Sequence, residues 1–161
     1  MAMPRLWLFP IIVGALVAAM VAVMGTTIAL PDGWYHRLVL PRWAPGDASF
    51  GLGWMIVYAI TAGAVITGWR AMPTREGDWL IGLFALSGFL NIAWSLLFFR
   101  LHRPDWAQIE VIGFWLSALM LVLHSWRWSI RASLLFLSYL GWVTFIGYFN
   151  LTVTRLNGPF G

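Results

Sequence analysis

The sequence predicts an all-α integral membrane protein: five transmembrane helices in one bundle, with a long loop between the first and second acting as a lid. Three observations carry that expectation. Of 161 residues, 61% are hydrophobic and 10% charged, whereas soluble domains carry about 25% charged residues. Mean hydropathy is +0.80. The apolar residues also gather into five runs, each close to the roughly 20 residues that cross a hydrocarbon core of about 30 Å. The length suits a single domain over residues 1–161.

The first run, 6–30, lies between Arg5 and Pro31-Asp32-Gly33. It exceeds the roughly 7–15 apolar residues of a signal peptide, so a retained helix is expected. Gly14 with Ala18, and Ala15 with Ala19, form small-residue pairs that suit close helix approach. Residues 31–49 form the one long loop, and loops above about 12–15 residues are usually functional. The second span is expected over 50–69, followed by a charged, turn-rich loop over 70–78. The third covers 79–99. Pro104 and Asp105 are suited to start the fourth, over 106–126. The loop 127–131 then leads to the fifth span, 132–154, which places the termini on opposite sides of the membrane.

Charge narrows the function classes. All basic residues are Arg and the net charge is +4; without a basic run or binding motif this suits phospholipid headgroups and not nucleic acid. Arg residues divide evenly between the two expected faces, so they assign no orientation. Cysteine is absent, which excludes disulfides, thiol catalysis and thiolate metal sites. His36, His102 and His124 fall at span ends in different segments, so neither a metal site nor catalytic residues are expected. Phosphate-binding loops and nucleophile elbows are also missing.

Polar groups inside apolar spans need a partner or a cavity. Asn91, Ser95, Glu110, Thr144 and Asn150 are such groups. Asn91, Trp94, Ser95 and Phe98 share a helix face by their spacing, and Trp142 and Asn150, eight apart, are expected on roughly one face. Glu110 is expected to reach the interface or pair with a nearby Arg such as Arg103. Aromatic surface is abundant: 12 Trp, 11 Phe and 4 Tyr. Around Trp43, Pro41 and Pro45 hold the backbone out of helix, and beyond them Phe50, Trp54 and Tyr58 follow at helical spacing. Loop and helix thus share one aromatic site, suited either to an interfacial belt or to a planar, mostly apolar ligand.

Four motifs in order resemble the tryptophan-rich sensory protein family, TspO, which includes the translocator protein or peripheral benzodiazepine receptor. Trp34-Tyr35, Pro41 to Pro45, Phe50, Trp54 and Tyr58 resemble its WY…KPxWxPP…F…W…Y run. Asn91 to Phe99 is similar to NxxW(S/T)xxFF, Trp106, Ala107 and Glu110 to WAxx(D/E), and Tyr139 to Asn157 to its PYLxW…LN…R segment. Leu40, Gly46 and Ser138 depart from the pattern, the last two replacing Pro. Leu151 stands where the sterol-recognition pattern has Tyr, so sterol binding through that motif is not expected.

The resemblance implies five transmembrane helices, usually as a homodimer, around a pocket for tetrapyrroles such as protoporphyrin IX and for synthetic benzodiazepine-site ligands. Carried over residue by residue, the pocket lining would be Trp43, Phe50, Trp54, Tyr58, Asn91, Trp94, Trp142, Phe145 and Ile146. Porphyrin or haem would be a ligand, with no cofactor. A regulatory or transport role in porphyrin metabolism is the leading expectation. Light- and oxygen-dependent porphyrin breakdown, or a purely structural bundle, are the alternatives. Ile146 stands where the family more often has a smaller residue, so a bulkier pocket wall is expected.

Overall fold

The computed structural model describes residues 12, 13, 15, 16, 19, 20 and 31–160, and among them there is no strand. Four long helices follow one another: α1 (Asp47–Ala71), α2 (Thr74–Ser95), α3 (Pro104–Trp126) and α4 (Ile130–Asn157). Each is long and apolar enough to cross a membrane, α2 together with the π-helical turn Leu96–Arg100 that continues it. At about 1.5 Å rise per residue even the 23 residues of α3 reach roughly 35 Å, beyond the hydrocarbon thickness. Most of the expected first span, 6–30, lies outside the described residues, as do Gly14 and Ala18; Ala15 and Ala19 are helical and exposed. Val13 is buried, and Met20 Sδ lies where it would be 2.8 Å from a Cβ at Gly88 of α2.

The helices outrun the apolar stretches because polar first turns join them. Asp47 opens α1, Glu76 lies in the first turn of α2 and Asp105 in that of α3, where carboxylates favour the unpaired N–H groups of a helix start. The expected loop 70–78 therefore contracts to Met72 and Pro73, and 127–131 to residues 127–129. Pro104 is in the first turn of α3, as its sequence position suggests. Ser129 caps α4 by accepting the Ala132 N–H at 3.2 Å. After the π-helical turn, the backbone reverses at His102, whose φ is 54°.

Apolar side chains cover the bundle's outside. Ile109, Ile112, Leu116, Met120 and Leu123 form an exposed row on α3, which suits lipid contact. Inside, the helices are joined by polar bonds. Ser87 and Tyr139 hydroxyls meet at 3.0 Å, linking α2 to α4. Asn150 accepts the Trp94 Nε1–H at 3.0 Å and donates to Pro104 O at 2.8 Å and Gln108 Oε1 at 2.9 Å, joining α2, α3 and α4. On the exposed side of α4, Thr144 accepts the Trp115 Nε1–H and donates to Leu140 O, both at 2.8 Å, so it needs no cavity.

Two expectations are corrected. Arg103 pairs with Asp105, not with Glu110, because the short turn before α3 brings those two side chains together. Both Glu110 carboxylate oxygens are buried and have no hydrogen-bond partner among the described residues. Trp142 and Asn150 do not share a face: Asn150 sits in the core with Pro104, while Trp142 turns toward α1. Eight residues overshoot two helical turns by most of a residue, enough to separate the directions.

The segment 31–46 lies over one end of the bundle. Asp32 Oδ1 accepts the Trp34 and Tyr35 N–H groups, both at 3.0 Å, and Oδ2 is 2.9 Å from His102 Nε2. Trp34 stacks on His102 with ring centroids 4.3 Å apart. Buried Tyr35 packs on Phe98 and Phe99. Farther on, Asn157 holds the backbone of Val39, accepting its N–H at 2.7 Å and donating to its carbonyl at 2.9 Å. Those contacts place the segment, the α2–α3 turn and the end of α4 at the same end of the bundle, as a topology with these parts on one face requires.

Candidate functional site

At the same end, an aromatic cluster is assembled from the long segment, α1 and α4. Pro41 and Pro45 bracket a turn closed by Ala44 N–H donating to Pro41 O at 2.9 Å. This turn presents Trp43, which remains 43% exposed. Its indole stacks on Tyr148 at 5.2 Å and meets Phe145 and Phe149 edge-on at 5.9 and 6.3 Å. From α1, Phe50 and Trp54 approach Trp142 at 6.1 and 5.7 Å, and Trp142 meets Phe145 at 5.2 Å. Such offset and edge contacts are favoured by ring quadrupoles. The cluster continues inward from Trp54 to Tyr58, 5.2 Å apart.

Below the rings lies a polar floor. Asn91 Nδ2 donates to the Tyr58 hydroxyl, and both residues are buried. Asn91 Oδ1 and Trp142 Nε1 are also buried, but neither has a hydrogen-bond partner among the described residues. An unpaired acceptor and an unpaired donor in an apolar interior are each unfavourable by roughly 1–3 kcal/mol. Both would gain from a ligand carrying complementary groups. At the rim, burial followed by the nearby Asp47 charge pushes the Tyr35 hydroxyl up to about 12, so it stays neutral at physiological pH. The Asp32 carboxyl is held below its usual range, first by the Tyr35 N–H it accepts.

Of the nine residues expected to line a pocket, Trp43, Phe50, Trp54, Trp142 and Phe145 are in the ring cluster, and Tyr58 and Asn91 form the floor. Trp94 is set farther back: it is fully buried, bonded to Asn150 and stacked on Phe98 at 5.3 Å. Phe98 in turn meets Phe149, which touches Phe50, so Trp94 backs the cluster through two rings. Ile146 is fully buried too. By helical rotation it falls between the Trp142–Phe149 direction and the Tyr139–Asn150 direction of α4.

Tyr148, Phe149 and Gly53 were not among the expected lining residues. The two aromatics follow Phe145 at i+3 and i+4, a spacing that carried a signal. Gly53 carried none, since its part depends on which ring packs against it. Among the described residues no group of three His, Cys, Asp or Glu side chains could hold a metal ion. The cluster thus sets flat apolar rings beside one acceptor, Asn91 Oδ1, and one donor, Trp142 Nε1–H, that have no partner among the described residues.

The TspO/MBR family profile matches residues 6–156. The chain is 34% identical over 132 residues to a tryptophan-rich protein TspO of Chlorobaculum tepidum, covering 79% of this chain and 82% of the relative. It is 30% identical over 140 residues to protein CrtK of Rhodobacter capsulatus, covering 84% and 87%. Similarity extends to the translocator protein of Bos taurus, 27% identical over 129 residues, covering 77% of this chain and 75% of the relative. With four helices able to cross a bilayer and a family match over most of its length, the chain is an integral, multi-pass membrane protein belonging to the TspO/MBR family.

Proposed function

We propose that this protein binds a tetrapyrrole of the protoporphyrin IX type within the aromatic cluster, and serves a regulatory or transport role in porphyrin metabolism. The observation that carries the reading is the meeting of Trp54, Trp142 and Phe50 in a cluster where the Asn91 Oδ1 acceptor and the Trp142 Nε1–H donor have no partner among the described residues. A macrocycle offers both a large π-face and ring N–H groups. The segment 31–46 would act as the lid, since its Trp43 forms the outer wall and its polar ties, to His102 and Asn157, lie at exposed positions. A homodimer is the proposed assembly. Light-driven breakdown of the bound porphyrin by the paired tryptophans is the alternative, and a product formed under illumination only with intact protein would favour it.

The test is a titration of the purified protein with protoporphyrin IX, followed by the Soret band. Trp54→Ala should weaken binding by at least about thirtyfold, since losing a buried aromatic anchor commonly costs 2 kcal/mol or more. Trp126→Ala, at a position 58% exposed on the outside of α3, should bind as the native chain does. Equal affinities for the two variants, or no saturable shift with any of them, would refute tetrapyrrole binding at this cluster.

A further inference from the structure

Gly53 stands between Phe50 and Trp54 on the face of α1 that meets α4, and the Trp142 indole is seated directly upon it. A Cβ added at position 53 would overlap Trp142 Cη2 outright and would come within 2.9 Å of both Cζ2 and Cζ3. Such distances are below those at which carbon atoms pack, so a side chain at 53 and the ring in this position exclude one another. Glycine's value here is close approach of a ring to the helix backbone. In that seat the indole touches Phe50, Trp54 and Phe145 at once, occupying the space where α1 and α4 would otherwise flank a planar ligand. Its Nε1–H is buried without an acceptor among the described residues. The seated ring is therefore well packed yet polar-deficient, a combination suited to exchange with a second position.

We infer that Trp142 is the gate of the aromatic site and Gly53 the seat on which it closes: a planar ligand enters by lifting the indole from Gly53, and the freed Nε1–H donates to an acceptor on that ligand. The inference rests on the tetrapyrrole-binding reading for its ligand but not for its moving part. If the seated state dominates the empty protein, apparent affinity is reduced by the fraction of molecules that are open. The residue at position 53 then sets affinity without touching the ligand, because any side chain there unseats the ring. Gly53 becomes an affinity-setting position that acts through Trp142.

The experiment uses the full chain labelled with 5-fluorotryptophan, in detergent, with the Trp142 fluorine resonance identified by its loss in Trp142→Phe. Gly53→Ala should move that resonance in the absence of ligand and should raise the affinity for protoporphyrin IX about fivefold or more. In the Trp142→Phe background, where the shorter ring does not reach the seat, Gly53→Ala should change affinity less than twofold. An unmoved resonance overturns the gate whatever the porphyrin does. Reduced or unchanged affinity in Gly53→Ala, or the same gain in the Trp142→Phe background, overturns it as well. A resonance that moves while no variant binds porphyrin saturably refutes the tetrapyrrole reading and leaves the seat standing. Should Gly53→Ala not fold, the native chain decides: saturation with protoporphyrin IX must displace the Trp142 resonance, and an undisturbed one refutes the gate.

Discussion

Replacing Asn150 with Leu should destabilise the bundle by about 2–4 kcal/mol, because the change strands a neighbour as well as removing bonds. Asn150 is fully buried and holds Trp94 Nε1–H, Pro104 O and Gln108 Oε1 within 3.0 Å. Hydrogen bonds between helices in membrane bundles average about 0.6 kcal/mol each, so the two to Pro104 and Gln108 contribute roughly 1 kcal/mol. Leu branches at the same atom as Asn and is no smaller, so no cavity opens. Gln108 is half-buried and can turn toward other partners. Trp94 cannot, since it is fully enclosed, and an orphaned buried donor costs about 1–3 kcal/mol. Deleting that donor first should therefore relieve the penalty: in a Trp94→Phe background, Asn150→Leu should cost at least about 1 kcal/mol less than in the native chain. Reversible unfolding of all four proteins in mixed detergent micelles, followed by helical circular dichroism, closes the cycle. Additivity within about 0.5 kcal/mol would show that Trp94 and Asn150 are not coupled, and would refute the bond as an energetic link.

Asn157→Ala removes both contacts with Val39, so trypsin should cut at Arg37 and Arg42 at least several-fold faster while the helical signal is unchanged; an unaltered rate would mean that other contacts hold the segment. Asp32 has its carboxyl lowered in the folded chain relative to the ordinary 3.8, so its contribution is complete above that value and is lost as pH falls through the folded value. Hydrogen exchange across residues 31–38, corrected for intrinsic rate, should accelerate below about pH 4, and Asp32→Asn should show that loosening at pH 6; native-like protection in the variant would dismiss the carboxylate. Ile146→Ala should improve affinity for a rigid benzodiazepine-site ligand about fivefold, near 1 kcal/mol, and change protoporphyrin affinity less than threefold. Parallel changes in binding the two ligands would place Ile146 with the Tyr139–Asn150 side of α4 and away from the site.

Much of the aromatic cluster was readable from spacing and motif. Phe50, Trp54 and Tyr58 recur along one side of α1, and the Pro pair around Trp43 marked the turn that presents it. Helix identity was equally plain, since apolar runs of this length have few other solutions in a bilayer. Ends were less so: Asp47 and Glu76 read as loop by hydropathy, yet each belongs to a first helical turn. Hydropathy measures preference for hydrocarbon, whereas helix starts favour carboxylates through their unpaired N–H groups. Glu110 shows the same limit from another side, because the nearest Arg in the chain was already claimed by Asp105.

By itself the sequence determined that the chain enters a membrane, that its spans are helical, and that its aromatic residues concentrate where the long segment meets α1. Composition and period decide these matters locally, residue against solvent. Tertiary structure alone decided which rings touch, that Trp94 is bonded to Asn150 and backs the cluster while Trp142 faces it, that Asn157 clasps Val39, and that Gly53 is the seat of an indole from a helix some ninety positions later in the chain. The physical reason is rotational. A helix presents a new direction every residue, and which direction becomes interior is settled by the neighbours packed against it, not by the residue's own character.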